Sequence, residues 1–137
     1  MNNWCFVEGR PVPKERPRVA NGHAYTPRKT KDYEELVALR YKQSGGIRYE
    51  GPLHVQLSFR YQSPKSWPKK KREANQYRAS KPDLDNLIKA VLDGLNGVAW
   101  NDDAQVVYLS AWKSYTDVEE GVYIYIEELE EEDEGST

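Results

Sequence analysis

The alternation of apolar and polar positions along this chain of 137 residues predicts four main strands and one short strand. The first strand covers Trp4–Val7, and Leu53–Tyr61 alternates over a full strand length. A short strand is expected at Ala24–Thr26. The last two strands, Gln105–Tyr115 and Gly121–Glu128, are separated by a short polar turn. Because they follow each other directly, we expect them to form an antiparallel hairpin.

A repeat of apolar residues every three to four positions predicts two helices. The first runs from about Thr30, a candidate N-cap, to about Ser44, where Gly45 and Gly46 follow. The second covers about Leu84–Asn96 and carries an apolar arc that would pack on a sheet. This order of elements predicts an α+β fold, in which a small mixed β-sheet carries its helices on one face.

Polar and basic segments separate these elements. Prolines in Gly9–Val19 predict an extended loop, because proline lacks a backbone donor and blocks helix formation. Arg16 and Arg18 in this loop are candidates for contacts with a phosphate, although ordinary surface charge explains them equally well. The second segment, Ser63–Ser80, is also basic, and a short helix is expected after Pro68.

The charge distribution is compatible with a polyanionic partner although the net charge is −2. From Glu119 to the end the chain carries nine acidic residues and no basic ones. The remainder carries 20 basic and 13 acidic residues, a balance of +7. A nucleic-acid partner is therefore not excluded. We divide the chain into a folded domain over residues 1–128 and an acidic tail over residues 129–137, which we expect to be disordered.

Features of membrane or secreted proteins are lacking in the sequence. It contains no apolar run of about 18 residues. The first residues, MNNWCFVEGR, lack the apolar core of a signal peptide. Cys5 is the only cysteine, which precludes an internal disulfide. We therefore expect a cytoplasmic protein without a membrane partner.

The segment Lys81–Leu109 is the most informative part of the chain. It groups five aspartates around the second predicted helix: Asp83, Asp85, Asp93, Asp102 and Asp103. Clustered carboxylates suit Mg²⁺, which prefers oxygen ligands, and the basic residues upstream suit a phosphate backbone. The pattern therefore predicts metal-dependent chemistry on a nucleic acid. Spacing alone leaves open whether all the carboxylates meet. When a helix packs antiparallel to the strand that follows it, the start of that strand lies beside the end of the helix and not beside its start.

Simpler structural roles compete with this interpretation. Asp83 could cap the helix, and Asp85 and Lys89 could form a surface ion pair that contributes a few tenths of a kcal/mol. An isolated D-x-D pair has low specificity. The combination P-D-x-D-N-L-x-K, followed by D-D-x-Q-V about ten residues later, is far more specific.

The segment KPDLDNLIKAVLDGLNGVAWNDDAQVV resembles the signature of the RusA family of Holliday-junction resolvases, found in bacteria and their phages. The N-terminal PVPKERPRV…AYTPRKTKDYEEL is similar, more loosely, to the opening of Gram-positive and phage members. The resemblance implies a RusA-like homodimer that cleaves four-way DNA junctions with Mg²⁺, for which Mn²⁺ is the expected substitute. It also implies paired symmetric nicks, with 5′-phosphate and 3′-hydroxyl products, during recombination and repair.

The same resemblance assigns roles to individual residues. It implies that Asp83, Asp85 and Asp103 bind the metal, with Asp102 as a weaker candidate. Lys89 matches the functional lysine of the family, and it would act with the three main aspartates in catalysis. It can stabilise the negative charge that grows on the phosphate.

Contacts with branched DNA are expected from basic residues near the aspartates, although a basic run is usually just a solvated face. The candidates are Lys69, Lys70, Lys71, Arg72, Arg78 and Lys81. A two-fold symmetric dimer suits symmetric nicking. Its interface is expected at Phe59 and Tyr61, or on the strand that carries Trp112 and Tyr115.

Two other functions remain open from the sequence. A nuclease that prefers flaps or other branched DNA would share the same chemistry. A non-catalytic junction-binding module would bind junctions tightly but would not cleave them with any metal.

Overall fold

The computed structural model describes residues 4–74 and 76–130. The elements are β1 (Trp4–Glu8), β2 (Arg18–Ala20), β3 (His23–Tyr25), α1 (Arg28–Gln43), β4 (Leu53–Gln62), α2 (Lys69–Glu73), α3 (Leu84–Leu95), β5 (Val106–Thr116) and β6 (Gly121–Glu128). A short 3₁₀ turn at Asp103–Gln105 precedes β5. The predicted α+β class is confirmed. The acidic tail beyond residue 130 lies outside the described residues, so the division after residue 128 stays a prediction.

Four strands form one mixed sheet in the order β1-β6-β4-β5, and β2 and β3 form a separate two-stranded sheet. β4 pairs antiparallel with β6 and parallel with β5. The predicted hairpin of β5 with β6 is therefore wrong, because β4 lies between them. The physical reason is burial: β4 carries fully buried apolar side chains at five alternate positions, and a central position in the sheet buries them best.

The core lies between one face of this sheet and helices α1 and α3. Its largest fully buried side chains include Leu53, Val55, Leu57, Phe59, Tyr61, Val37, Leu87 and Leu95. Burial of each such apolar side chain contributes about 1.5–3 kcal/mol. Phe59 and Tyr61 are 0% exposed, so neither can supply a dimer interface as expected.

Helices α1 and α3 pack closely at Gly94. A Cβ atom at this position would lie 2.9 Å from the carbonyl oxygen of Glu34 and 3.0 Å from Cβ of Val37. Helix α1 begins at Arg28, after Pro27, and not at the predicted cap Thr30. The buried hydroxyl of Thr30 instead accepts a hydrogen bond of 3.3 Å from the backbone N–H of Glu15, which fixes the extended loop against the helix.

The opposite face of the sheet carries aromatic and polar side chains. Phe6 and Tyr123 lie with ring centroids 4.6 Å apart, and the guanidinium of Arg60 lies 4.3 Å from the centre of the Tyr123 ring. His54, expected on a polar face, is 3.1 Å from the Ser110 hydroxyl. Among the described residues, no helix combines the length and the apolar character that crossing a membrane requires.

Candidate metal and DNA site

Two exposed carboxylates lie at the start of α3. Asp83 occupies the N-cap position with an extended backbone, yet its side chain makes no capping hydrogen bond within the described structure. It accepts a hydrogen bond of 2.7 Å from the Lys81 ammonium instead. Oδ1 of Asp85 accepts the backbone N–H of Asn86 at 3.0 Å. The capping role considered for Asp83 is therefore not the observed one, and both carboxylates face solvent at the positive end of a helix dipole.

Two lysines set the electrostatics of this end of α3. The hydrogen bond from Lys81 lowers the pKa of Asp83, and the positive charge of Lys113 lowers it further. Lys113 also donates hydrogen bonds of 2.7 Å to the carbonyl oxygens of Ser80 and Pro82. It therefore fixes the loop that carries Asp83. The sequence does not indicate this role of Lys113, because the role depends on β5 lying beside this loop.

Lys89 projects from the exposed side of α3, and its Nζ lies 3.3 Å from Oδ1 of Asp93. Its ion-pair partner is therefore Asp93 and not Asp85, the partner considered in the surface-pair alternative. Asp93 also forms an ion pair with Lys14. Nζ of Lys14 lies 3.1 Å from Oδ2 of Asp93 and 2.6 Å from Oε1 of Glu34. Partial burial alone would lower the pKa of Lys14, but its hydrogen bonds to the two carboxylates outweigh this and raise the pKa. This network joins the extended loop to both helices, so Asp93 has a structural role.

The third predicted ligand, Asp103, lies just before β5. Its Oδ1 accepts a hydrogen bond of 2.7 Å from the indole N–H of Trp100, a fully buried residue. The neighbouring Asp102 caps the 3₁₀ turn: its Oδ1 accepts the backbone N–H of Ala104, and the Gln105 side chain completes a capping box. This structural role agrees with Asp102 being the weaker metal candidate.

Asp83 and Asp103 lie at opposite ends of α3. The helix has 12 residues and is therefore about 18 Å long. Lys113, late in β5, contacts the loop before the helix, whereas the carbonyl of Trp100 accepts the Gly97 N–H just after it. Helix and strand are therefore antiparallel. Among the described residues, no group of three or more His, Cys, Asp or Glu side chains could hold a metal ion. Within one chain, Asp103 therefore does not lie together with Asp83 and Asp85.

A basic cavity of about 320 Å³ is lined in part by Lys81 and Pro82, the two residues that precede the acidic pair Asp83 and Asp85. Arg10, Lys29 and Lys81 contribute its cationic side chains, and prolines of the extended loop together with Pro82 contribute apolar walls. A cavity with this charge suits a phosphate group of a nucleic acid. Of these three cations, only Lys81 was a predicted DNA contact. Arg10, on the extended loop, and Lys29, on α1, line the same cavity as Lys81 because of the tertiary fold.

The predicted DNA-binding residues fall into two groups. Lys69, Lys70 and Lys71 lie on the exposed helix α2. Arg16, in the extended loop, and Arg18, at the start of β2, are also exposed. Arg72 and Arg78 are engaged within the chain. Arg72 donates to the carbonyl of Trp67, and Arg78 donates to that of Lys81.

Arg78 also lies 4.5 Å from the centre of the Tyr61 ring, and Lys71 lies 4.2 Å from that of Trp67. Such contacts fix the position of a cation over an aromatic ring. The Trp67 ring packs against Tyr115 at 4.8 Å, so it anchors its loop.

A family model described as Endodeoxyribonuclease RusA matches residues 8–127. The chain is also 36% identical over 134 residues to the uncharacterized protein YqaN of Bacillus subtilis (strain 168), and the match covers 90% of this chain and 94% of that protein. The chain therefore belongs to the RusA family of endodeoxyribonucleases. Membership implies a nuclease of the kind that resolves Holliday junctions.

Proposed function

We propose that this protein is a divalent-cation-dependent endodeoxyribonuclease that cuts four-way DNA junctions by paired symmetric nicks. Family membership supports the nuclease activity. The observation that carries the residue assignment is the pair Asp83 and Asp85, two exposed carboxylates at the start of α3 beside the basic cavity. Mg²⁺, or Mn²⁺ in its place, is the cation we expect.

The chemistry follows from the charges at this end of the helix. Asp83 and Asp85 would hold the ion, and Mg²⁺ commonly uses one or two carboxylates together with substrate phosphates. The bound ion supplies neutralisation of phosphate charge and a more acidic water. Lys89, one turn further along the same exposed side, can stabilise negative charge that develops on the phosphate. Lys113 keeps the loop of Asp83 in position through its two carbonyl contacts.

Cationic side chains around the acidic pair offset its repulsion of DNA. Arg10, Lys29 and Lys81 border the cavity next to Asp83, and the lysines of α2 extend the positive surface. Contacts of this kind position a phosphate backbone without reading its sequence. We therefore propose recognition of junction shape, with the backbone path passing the start of α3.

A direct test compares wild type, Asp83→Asn and Asp85→Asn on a synthetic four-way junction, a flap and a linear duplex, in Mg²⁺ and in EDTA. We expect junction cleavage by the wild type in Mg²⁺ alone. Each variant should cleave roughly 100-fold more slowly or worse, while still binding the junction. Asp32→Asn, which removes an exposed carboxylate on α1, is the matched control and should cleave normally.

The other outcomes separate the alternatives. Equal cleavage of flaps and junctions would widen the substrate to branched DNA in general. Tight junction binding without cleavage in both Mg²⁺ and Mn²⁺ would identify a non-catalytic binding module.

A further inference from the structure

A separate hairpin projects from the chain just before α1. Strands β2 and β3 form a two-stranded sheet of their own, and within residues 4–74 and 76–130 no strand of the main sheet pairs with them. All ten residues from 16 to 25, here called the arm, are exposed, with Val19 at 73% and Tyr25 at 47%. An isolated two-stranded hairpin is only marginally stable in water. Burial therefore does not explain why the chain forms this element.

The turn of the arm has the geometry that keeps the hairpin formed. Ala20 pairs with His23, so the loop between the two strands consists of Asn21 and Gly22. These two residues have φ angles of 52° and 78°. A type I′ turn requires a positive φ at both positions, and Asn-Gly is among its most favourable sequences. The arm is therefore a preformed ribbon, although its residues add nothing to the core.

The arm and its connection to α1 carry positive charge. From residue 16 to residue 31 the chain has five basic residues and no Asp or Glu. All five are exposed: Arg16, Arg18, Arg28, Lys29 and Lys31. A partner whose negative charge is spread along its length, such as the phosphate backbone of DNA, complements this distribution. The charge of the arm therefore favours a nucleic acid as its partner.

Both ends of the arm are attached near the proposed site. The backbone N–H of Lys14, two residues before the arm, donates a hydrogen bond of 2.8 Å to the carbonyl oxygen of Asn86. Asn86 directly follows Asp85 at the start of α3. The other end of the arm leads into α1, where Lys29 lines the same basic cavity as Lys81. The arm therefore begins and ends where the start of α3 and the basic cavity lie.

The length of the arm limits where on DNA it acts. An extended chain rises about 3.3 Å per residue, so the turn at Asn21 lies at most about 23 Å from Lys14. In B-DNA this distance corresponds to about seven base pairs, at about 3.4 Å each. The arm therefore reaches DNA only within about seven base pairs of a phosphate held at the acidic pair.

The two faces of the ribbon differ in chemistry. Arg18, His23 and Tyr25 occupy alternate positions of the paired strands, so a guanidinium, an imidazole and a phenol share one face. Val19 and Ala24 pair with each other on the opposite face. The first three side chains can donate hydrogen bonds to phosphate oxygens and base edges, whereas the other two cannot. The polar face is therefore the one suited to DNA.

The width of the ribbon selects the groove. Its two strands lie about 4.8 Å apart, and side chains add to this width. The major groove of B-DNA is about 12 Å wide and admits a two-stranded ribbon, whereas the minor groove is only about 6 Å wide. A ribbon of this size therefore suits the major groove.

We propose that the arm enters the major groove of the DNA duplex beside the phosphate to be cut, with the face of Arg18, His23 and Tyr25 toward the DNA. The inference rests on the proposed function, since it names the element that positions the substrate at the same site. Phosphate contacts from the arm add affinity, and contacts with base edges make it the part of the chain that can read sequence.

Variants of the two faces test this proposal. One variant combines Arg18→Gln, His23→Gln and Tyr25→Ser, and its matched control combines Val19→Thr and Ala24→Ser on the opposite face. Both change exposed residues only, so both should keep the circular dichroism spectrum of wild type. We expect the polar-face variant to bind a synthetic four-way junction at least about 10-fold more weakly, and the control to bind like wild type. A folded polar-face variant that binds as tightly as wild type would overturn the proposal.

Chemical footprinting reports on the groove. Dimethyl sulfate methylates guanine N7, which faces the major groove, and adenine N3, which faces the minor groove. The Asp83→Asn variant leaves the junction uncut, and with it we expect protection of guanine N7 within about seven base pairs of the branch point. Adding the polar-face changes should remove this protection. Protection confined to adenine N3, or guanine protection that persists without the polar face, would contradict insertion into the major groove.

These outcomes can be told apart from failure of the proposed function. If wild type binds the junction but cleaves no DNA, the nuclease assignment fails, and the affinity and footprint of the two face variants still decide the role of the arm. If wild type cleaves junctions and the polar-face variant binds and protects DNA like wild type, the role of the arm is wrong and the nuclease assignment stands.

Discussion

The indole N–H of Trp100 donates a hydrogen bond of 2.7 Å to Oδ1 of Asp103. Trp100 is fully buried in the core, whereas Asp103 is only partly buried. A residue of the core therefore fixes the direction of a carboxylate at the surface. Hydrogen bonds to charged groups contribute about 1.5–3 kcal/mol, enough to hold Asp103 in one orientation before any ligand arrives.

A double-mutant cycle should measure this relationship. Trp100→Phe removes the donor and keeps an aromatic ring in the core, and Asp103→Ala removes the acceptor. We expect the two changes to be coupled by about 1–2 kcal/mol in the free energy of unfolding, measured with urea. Strictly additive effects would show that the bond does not orient Asp103.

Lys14 should stabilise the packing of both helices with the extended loop. Lys14→Met leaves Glu34 and Asp93 partly buried without their shared cation, and we expect a loss of about 1–3 kcal/mol in unfolding free energy. Because the pKa of Lys14 is raised, its contribution is complete below the ordinary lysine pKa of 10.5 and is lost as pH rises through the higher folded value. Lys42→Met, on the exposed end of α1, is the control and should change stability little. Equal stability of both variants would contradict the role of Lys14.

Lys81 should keep Asp83 ionised at low pH. Since Lys81 lowers the pKa of Asp83, Lys81→Met should raise that pKa toward the ordinary aspartate value, as measured by NMR titration of the carboxyl carbon. The carboxylate form is favoured above the lowered pKa and lost as pH falls through it, so the acid limit of cleavage should move to higher pH in the variant. Lys29→Met removes another cation of the same cavity but no hydrogen bond to Asp83, and it should leave the titration nearly unchanged. An Asp83 pKa that is identical in wild type and Lys81→Met would contradict the ion pair.

The exposed lysines of α2 should carry part of the DNA affinity. Replacing Lys69, Lys70 and Lys71 with Gln should weaken junction binding and reduce the slope of log K against log salt by up to about 0.9 for each lost phosphate contact. Lys42→Gln, which removes an exposed charge from α1, is the control for charge loss alone. An unchanged slope in the triple variant would place α2 away from the DNA.

Much of the fold was predictable because local patterns reflect burial. The alternation in β4 and the apolar arc of α3 correctly indicated which residues face the core. The order of strands was not predictable in this way. The short turn after β5 suggested a hairpin, but the most apolar strand, β4, occupies the position between β5 and β6.

The candidate site was predictable only in part. Asp83 and Asp85 are close in sequence, so their position at the start of α3 follows from the helix boundary. The position of Asp103 relative to Asp83 and Asp85 depends on the direction of β5 relative to α3, which the sequence left open. Lys113 and Trp100 were missed because each acts through a tertiary neighbour, and neither residue type at those positions signals such a partner.

Cleavage of a supercoiled plasmid that extrudes a cruciform tests the central claim most directly. In Mg²⁺, paired nicks at the four-way junction should convert the plasmid to linear DNA with wild type, whereas Asp83→Asn should leave it supercoiled. Open circles as the main product would show nicking without pairing of the two sites. Supercoiled plasmid that persists with wild type in Mg²⁺ and in Mn²⁺, although the protein binds the junction, would contradict the assignment as a junction-cleaving nuclease.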